Sequence, residues 1–148
     1  MSTELKDRMD IVDLAVRYST AASRLDGRGI ASVFTADGRL AGLTKLVGQP
    51  DVELVGAKAI ASFFEPIYAN AIELVHHLSQ VTDLKINGDR ATATTAIVEY
   101  ARPKGGGKLM LVLGEYVDDI VRTQEGWRFS RRELKTKSFS MLNEAPPG

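Results

Sequence analysis

The sequence predicts an α+β domain: a curved antiparallel sheet wrapped around a long N-terminal helix, with two further helices. Two observations predict it. Apolar residues recur at helical spacing through the first part of the chain, and after Asn70 the period changes to that of strands, rich in β-branched and aromatic residues and separated by turn signals. At 148 residues the chain suits one domain, long enough to bury roughly two-thirds of its unfolded surface around a single core.

From Leu5 to Leu25, Ile11, Leu14, Ala15, Tyr18, Ala22 and Leu25 fall on one stripe, while Asp10, Asp13, Arg17 and Arg24 fall on another. This is an amphipathic helix, with Asp13 and Arg17 spaced as a favourable i to i+4 pair. Asp26-Gly27 reads as a break and a new N-cap for a short second helix through Ile30, Val33 and Phe34. Asp37-Gly38 is a turn signal, and Arg39 to Val47 reads as a strand with an irregular continuation through Gly48-Gln49-Pro50. A third helix is expected from Gly56 to Asn70, where Ile60, Phe63, Phe64 and Ile67 make an apolar face. Pro66 should cost it one hydrogen bond and kink or split its last turn.

Four strands follow: Leu74 to Ile86, Arg90 to Arg102, Lys108 to Arg122 and Trp127 to Phe139. Asn87-Gly88-Asp89 is a hairpin signal, because two positive-φ residues match the twist of the flanking strands. Gly105-Gly106-Gly107 and Thr123-Gln124-Glu125-Gly126 serve the next two turns. The result is an antiparallel meander with the earlier strand on an edge. Residues 1–140 form the domain and 141–148 a C-terminal tail, whose Asn143 to Gly148 is either disordered or laid across the surface.

The 19 basic and 19 acidic residues cancel, so no overall field draws in nucleic acid or an anionic membrane. The basic run Arg128, Arg131, Arg132, Lys135 and Lys137 then reads as a solvated or intersubunit face. The absence of cysteine removes disulfides, thiolate nucleophiles and zinc-thiolate sites. The N-terminus is charged where a signal peptide needs an apolar run, and nothing approaches the ~20 apolar residues of a membrane span. A soluble cytoplasmic protein is expected, with neither nucleic-acid nor membrane partners. With two histidines no metal site is expected; Gly105-Gly106-Gly107 joins two strands rather than a strand and a helix, and its Lys108 is followed by Leu109 where a phosphate loop has Ser/Thr, and no cofactor is expected.

Several strings, in order, resemble SnoaL-like proteins of the nuclear-transport-factor-2-like superfamily. They are Ile11-Val12-Asp13-Leu14-Ala15-Val16-Arg17-Tyr18, Asp26, Val33-Phe34 with Asp37, His77, and Asn87-Gly88-Asp89-Arg90-Ala91. Gly114-Glu115-Tyr116-Val117-Asp118, Arg122-Thr123 and Gly126-Trp127-Arg128-Phe129 with Arg131 continue the likeness to Phe139. The resemblance implies a conical α+β barrel, its curved antiparallel sheet cone-shaped and walling an apolar cavity, and frequent homodimers through the sheet. Members include polyketide cyclases, scytalone dehydratase, a hexachlorocyclohexane dehydrochlorinase, bile-acid dehydratases, ketosteroid isomerase and limonene epoxide hydrolase, alongside many non-catalytic domains. One fold hosts many chemistries, so the site needs its own argument.

In the dehydratase-like members an Asp near the end of the first helix supports a His on the sheet that abstracts a proton. The resemblance places His77 at that His and Ser23 at that Asp. A serine can hydrogen-bond the histidine but cannot balance an imidazolium. Asp26, one turn on, reads as an N-cap. His76 and His77 point to opposite faces of a regular strand, and a one-residue bulge across Val81 to Leu84 would decide which faces inward. His77 stands between a catalytic base and a satisfied structural histidine, and Tyr18 between a substrate-orienting hydroxyl and a core tyrosine. Ser23, Tyr100, Phe63 and Tyr116 are the candidate substrate contacts, and Asp118 a candidate partner for Arg131. Where ketosteroid isomerase has its proton-shuttling Asp this chain has Gly42.

The expectation is a small-molecule pocket for a hydrophobic cyclic metabolite, acting as a cofactor-independent lyase, isomerase or cyclase with His77 as base. The alternative is a non-catalytic ligand-binding or dimerisation domain of the same fold.

Overall fold

The apolar stripe of the N-terminal segment forms α1, Thr3–Ser23, in the computed structural model, which describes residues 3–44 and 49–145. Ile11, Leu14, Ala15, Tyr18 and Ala22 are buried as the spacing predicts. Leu25 lies beyond the helix at φ 56°, in the left-handed region that ends it. The i to i+4 pair on the exposed face is Lys6–Asp10 rather than Asp13 with Arg17. Asp26 caps the short α2, Gly27–Ala31, its Oδ1 accepting the Gly29 N–H at 2.9 Å.

Strand β1, Phe34–Ala41, starts earlier than expected, and Asp37-Gly38 is not a turn. The pair sits inside the strand, where the register slips between Phe34 and Arg39, so the turn residues make an irregularity instead. The strand stops at Ala41 because Gly42 follows at φ 89°. Gly42 to Thr44 are not strand, and residues 45–48, which include the end of the expected strand, lie outside the described residues, as do 1–2 and 146–148.

A two-residue strand, β2 (Leu54–Val55), leads into α3, Ala57–Asn70, which remains one helix through Pro66. Ile60 and Phe64 are buried, and Phe63 and Ile67 are half-buried on the adjoining face. The four long strands are β3 (Ile72–Asn87), β4 (Arg90–Pro103), β5 (Lys108–Thr123) and β6 (Gly126–Asn143). In the first hairpin turn Gly88 has positive φ and Asp89 does not. A type II′ turn, with glycine at its first central position, therefore replaces the expected pair of positive-φ residues.

The sheet order is β2-β1-β6-β5-β4-β3. Two expectations change here. Because β2 pairs antiparallel with β1, β1 is interior and not an edge. Because β1 runs parallel to β6, the sheet is mixed; the whole intervening chain serves as the crossover that a parallel pair requires. Strand β6 runs on to Asn143, and Glu144 beyond it accepts two hydrogen bonds from Arg102 at 2.7 and 2.8 Å. That ion pair lays the start of the tail on the sheet.

Helix α1 crosses the concave face, where it packs most closely on β3. Its first turns are tied down by Asp7, a buried carboxylate that accepts from both Arg122 amino groups at 2.8 Å and from Trp127 Nε1 at 3.1 Å. Those bonds hold the Asp7 carboxyl down at about 2, Arg122 contributing most and Trp127 next. Among the described residues no helix is long and apolar enough to cross a membrane.

Candidate functional site

Between α1, α3 and the inner face of the sheet lies a cavity of about 310 Å³. Its wall is mostly apolar: Phe63, Phe64 and Ile67 from α3, Val75 from β3, Met110 from β5 and Leu134 from β6 contribute. Tyr18, Tyr68, His77, Glu99 and Tyr116 bring polar atoms to it. An apolar hollow with a few converging polar groups is the usual form of a small-molecule site.

His77 is buried and His76 exposed, so strand parity brings His77 inward. The register slip between Val81 and Asp83 falls beyond His77 and leaves its pairing with Glu99 intact. His77 Nδ1 lies 2.8 Å from Ser19 Oγ, and Ser19 Oγ donates to Ser79 Oγ at 2.7 Å. With the Ser19 proton committed to Ser79, Nδ1 carries the ring hydrogen and donates it to Ser19. Nε2 is then the lone-pair nitrogen, and it is buried with no hydrogen-bond partner among the described residues. A buried acceptor without a partner costs about 1–3 kcal/mol, and such exceptions in a fold call for an explanation. Burial first, and Arg132 second, lower the His77 pKa to about 3.

The Ser19 contact was missed by sequence reasoning, which took Ser23 for the partner of the imidazole. Ser23 accepts the His77 backbone N–H at 2.9 Å and borders a groove between α1 and β3, which Ser19 and His77 also line, not the cavity. A serine is too short to reach from that position to the ring, and the residue one helical turn earlier makes the contact. The i to i−4 relation of two serines on one helix face was the available signal.

Tyr18 and Tyr116 meet hydroxyl to hydroxyl at 3.2 Å, with His77 stacked on Tyr116 at 6.1 Å between ring centroids. Desolvation pushes the Tyr18 hydroxyl up to about 12 and that of Tyr116 well above its usual range. Both phenols therefore stay protonated as donors. Beneath them the Arg132 guanidinium lies 4.6 Å from the Tyr18 ring centre, 4.1 Å from that of Tyr116 and 4.0 Å from that of Phe129. Arg132 is wholly buried and bidentate to Asp118, at 2.7 and 3.0 Å, and Asp118 also accepts from Thr95 Oγ1 at 2.8 Å. Asp118 thus pairs with Arg132 and not with Arg131, because cross-strand register places it directly opposite Arg132. Arg131 instead bonds Glu53 and Glu133.

Tyr100 requires a correction. It stands opposite His76, and Glu99 stands opposite His77, so Tyr100 belongs to the outer face of the sheet and Glu99 to the cavity. Sequence reasoning named the neighbour and missed the carboxyl. Phe63, Tyr18 and Tyr116 do line the cavity. The half-buried Glu99 has its carboxyl pushed up to about 7 by desolvation.

Gly42 is explained by its surroundings. A Cβ there would lie 2.2 Å from the Leu134 carbonyl oxygen, and φ is 89°. No side chain, acidic or otherwise, fits at this place without moving β6. Among the described residues no group of three or more His, Cys, Asp or Glu is gathered to hold a metal ion.

Known proteins share the fold. The chain is 29% identical to the uncharacterized protein Rv2910c of Mycobacterium tuberculosis (strain ATCC 25618 / H37Rv), over 94% of this chain and 90% of that protein. The fold superposes on hexachlorocyclohexane dehydrochlorinase LinA-type3 from Novosphingobium barchaimii LL02 with a TM-score of 0.80 at 16% identity, covering 97% of each chain. It also superposes on a ketosteroid isomerase-like protein from Erwinia carotovora atroseptica SCRI1043, with a TM-score of 0.72 at 20% identity over 93% of this chain and 99% of that one. At those identities the likeness is one of fold. The SnoaL-like domain profile matches residues 3–133, and the chain belongs to the SnoaL-like family within the nuclear-transport-factor-2-like fold.

Proposed function

We propose that this protein is a cofactor-independent lyase or isomerase that moves a proton on a hydrophobic cyclic small molecule held in the cavity. His77 Nε2 is the proton acceptor, and the Tyr18 and Tyr116 hydroxyls orient a carbonyl or hydroxyl of the substrate while Phe63 packs on its ring. The observation that carries this reading is the buried, unpartnered Nε2 of a histidine that lines an apolar cavity and whose other nitrogen is fixed by Ser19. The fold's neighbours include a hexachlorocyclohexane dehydrochlorinase and a ketosteroid isomerase-like protein, in keeping with a lyase or isomerase. A cytoplasmic homodimer is part of the proposal, joined through the outer sheet face where Leu78, Leu113 and Val117 are exposed.

The test is a panel of cyclic ketones and hydroxylated polycycles, screened by thermal shift and then followed for conversion. Compounds that raise the melting temperature are expected to be converted, and His77→Ala is expected to lower conversion by about 100-fold or more while leaving binding in place. A second reading has its own support: the family resemblance aligns Ser23 and Gly42 with positions where catalytic relatives carry acids, and the basicity of His77 is depressed. Under that reading the protein binds such molecules without converting them. Binding with no product on prolonged incubation would establish it instead.

A further inference from the structure

An imidazole that accepts a proton in an apolar cavity needs a negative charge nearby, and α1 supplies none. We propose that Glu99 supplies it from the sheet, forming with His77 a cross-strand pair that handles the substrate proton in place of a helix carboxylate. This rests on the proton-moving reading of the cavity above.

The placement argues for it. His77 and Glu99 are directly opposite each other on β3 and β4 and both line the cavity. Side chains so related share a face, with Cβ atoms roughly 4.5–5.5 Å apart. Nε2, the ring nitrogen not held by Ser19, is the one left without a partner, and no hydrogen bond or ion pair from any described residue engages the Glu99 carboxyl, on which desolvation alone acts. Two unengaged proton-carrying groups therefore stand side by side on one wall of an otherwise apolar chamber.

The groups that face Glu99 are uncharged. Tyr68 approaches from α3, Tyr18 from α1, Tyr116 from β5 and His77 from β3. Arg132 of β6 lies behind the tyrosine rings and is neutralised by Asp118. Desolvation, the force that pushes the Glu99 carboxyl up to about 7, places its charge change in the range where a proton carrier works best.

The reaction balances without a co-reactant. Nε2 takes the proton from a carbon next to a carbonyl, and the C–H electron pair moves into the carbonyl to give an enolate that accepts a hydrogen bond from a tyrosine hydroxyl. The imidazolium so formed is balanced by the Glu99 carboxylate. Return of the proton to another position of the enolate, from Nε2 directly or by way of Glu99, yields the isomer and restores neutral His77 with ionised Glu99. Substrates are thus cyclic ketones with an acidic neighbouring C–H.

Two measurements on the full chain test the pair. In a nuclear magnetic resonance titration with labelled histidine and glutamate, the His77 Nε2 resonance is expected to show a step at the midpoint of the Glu99 carboxyl, and Glu99→Gln to abolish it. A His77 resonance that stays flat through that midpoint overturns the pair whatever the substrate. The second measurement is deuterium uptake from heavy water into 2-tetralone, a hydrophobic cyclic ketone. The wild-type rate is expected to rise with pH through the Glu99 midpoint, and both His77→Ala and Glu99→Gln to lose about 100-fold with that rise removed. Loss in His77→Ala with uptake unchanged in Glu99→Gln would overturn the role of Glu99 and leave the base intact. Uptake unchanged in both variants would count against proton transfer at this wall altogether.

Discussion

Replacing Glu99 by glutamine should stabilise the protein, and by an amount that depends on pH. The native carboxyl titrates near 7 against an ordinary value of 4.5. A carboxyl whose folded pKa is raised holds its proton more tightly when folded. Its contribution to stability is fully present below about pH 4.5 and is lost as pH rises through about 7. At about 1.4 kcal/mol for each decade, the native state at about pH 8 carries at most roughly 3 kcal/mol of cost, an upper figure because the residue is only half-buried. Glutamine has the same shape and never ionises. Glu99→Gln should therefore match wild type at about pH 4 and exceed it by up to roughly 3 kcal/mol at about pH 8, as measured by urea denaturation. His77 works in the opposite sense over an overlapping window. Its folded pKa is lowered from 6.5 to about 3, so its contribution is present above 6.5 and lost as pH falls. That contribution is common to both proteins, so subtracting the two profiles isolates Glu99. A stability difference that is the same at both pH values, or a variant weaker than wild type at the higher one, refutes the desolvated carboxyl.

Other substitutions separate the remaining parts. Asp118→Asn leaves the wholly buried Arg132 without its counter-charge and should cost about 3–5 kcal/mol in denaturant titration; a loss below about 1 kcal/mol contradicts the buried pair. Gly42→Ala places a Cβ against the Leu134 carbonyl in a left-handed backbone, and a loss of roughly 2–4 kcal/mol is expected, read as a drop in melting temperature. Ser19→Ala removes the acceptor that holds Nδ1–H. It should lower stability by about 1–3 kcal/mol and mix the His77 tautomers in nitrogen resonance spectra, whereas an unchanged tautomer would show that Ser19 does not set it.

The parts of the structure readable in the sequence are those written as local periodicity. The stripe Ile11, Leu14, Ala15, Tyr18 and Ala22, the Asp26 cap and the four long strands all announce themselves by spacing and turn chemistry. What depended on long-range register did not. The parallel pairing of β1 with β6 and the edge strand Leu54–Val55 join segments distant in sequence or too short to show a pattern. Asp37-Gly38 looks the same in a turn as in an irregular strand. At the site, His77 and Tyr116 follow from the family likeness and Tyr18 and Phe63 from the apolar faces of their helices, while Tyr100 lies one residue away from the cavity residue Glu99. A shift of one residue in a strand exchanges the two faces, so an error of one in register turns a cavity carboxyl into an outer-face phenol. Asp118 with Arg131 failed for the same reason, by one position on β6. Ser19 escaped notice because a shorter side chain at position 23 moves the contact by a helical turn.

The function proposed for the cavity requires that the unpartnered nitrogen of His77 take a proton from a molecule bound there. The direct measurement is single-turnover conversion of a compound that binds there, by wild type and by His77→Ala, with the dissociation constant measured alongside. The account predicts similar binding and a chemical step slower by about 100-fold or more in the variant. Equal rates of conversion in the two proteins would contradict it.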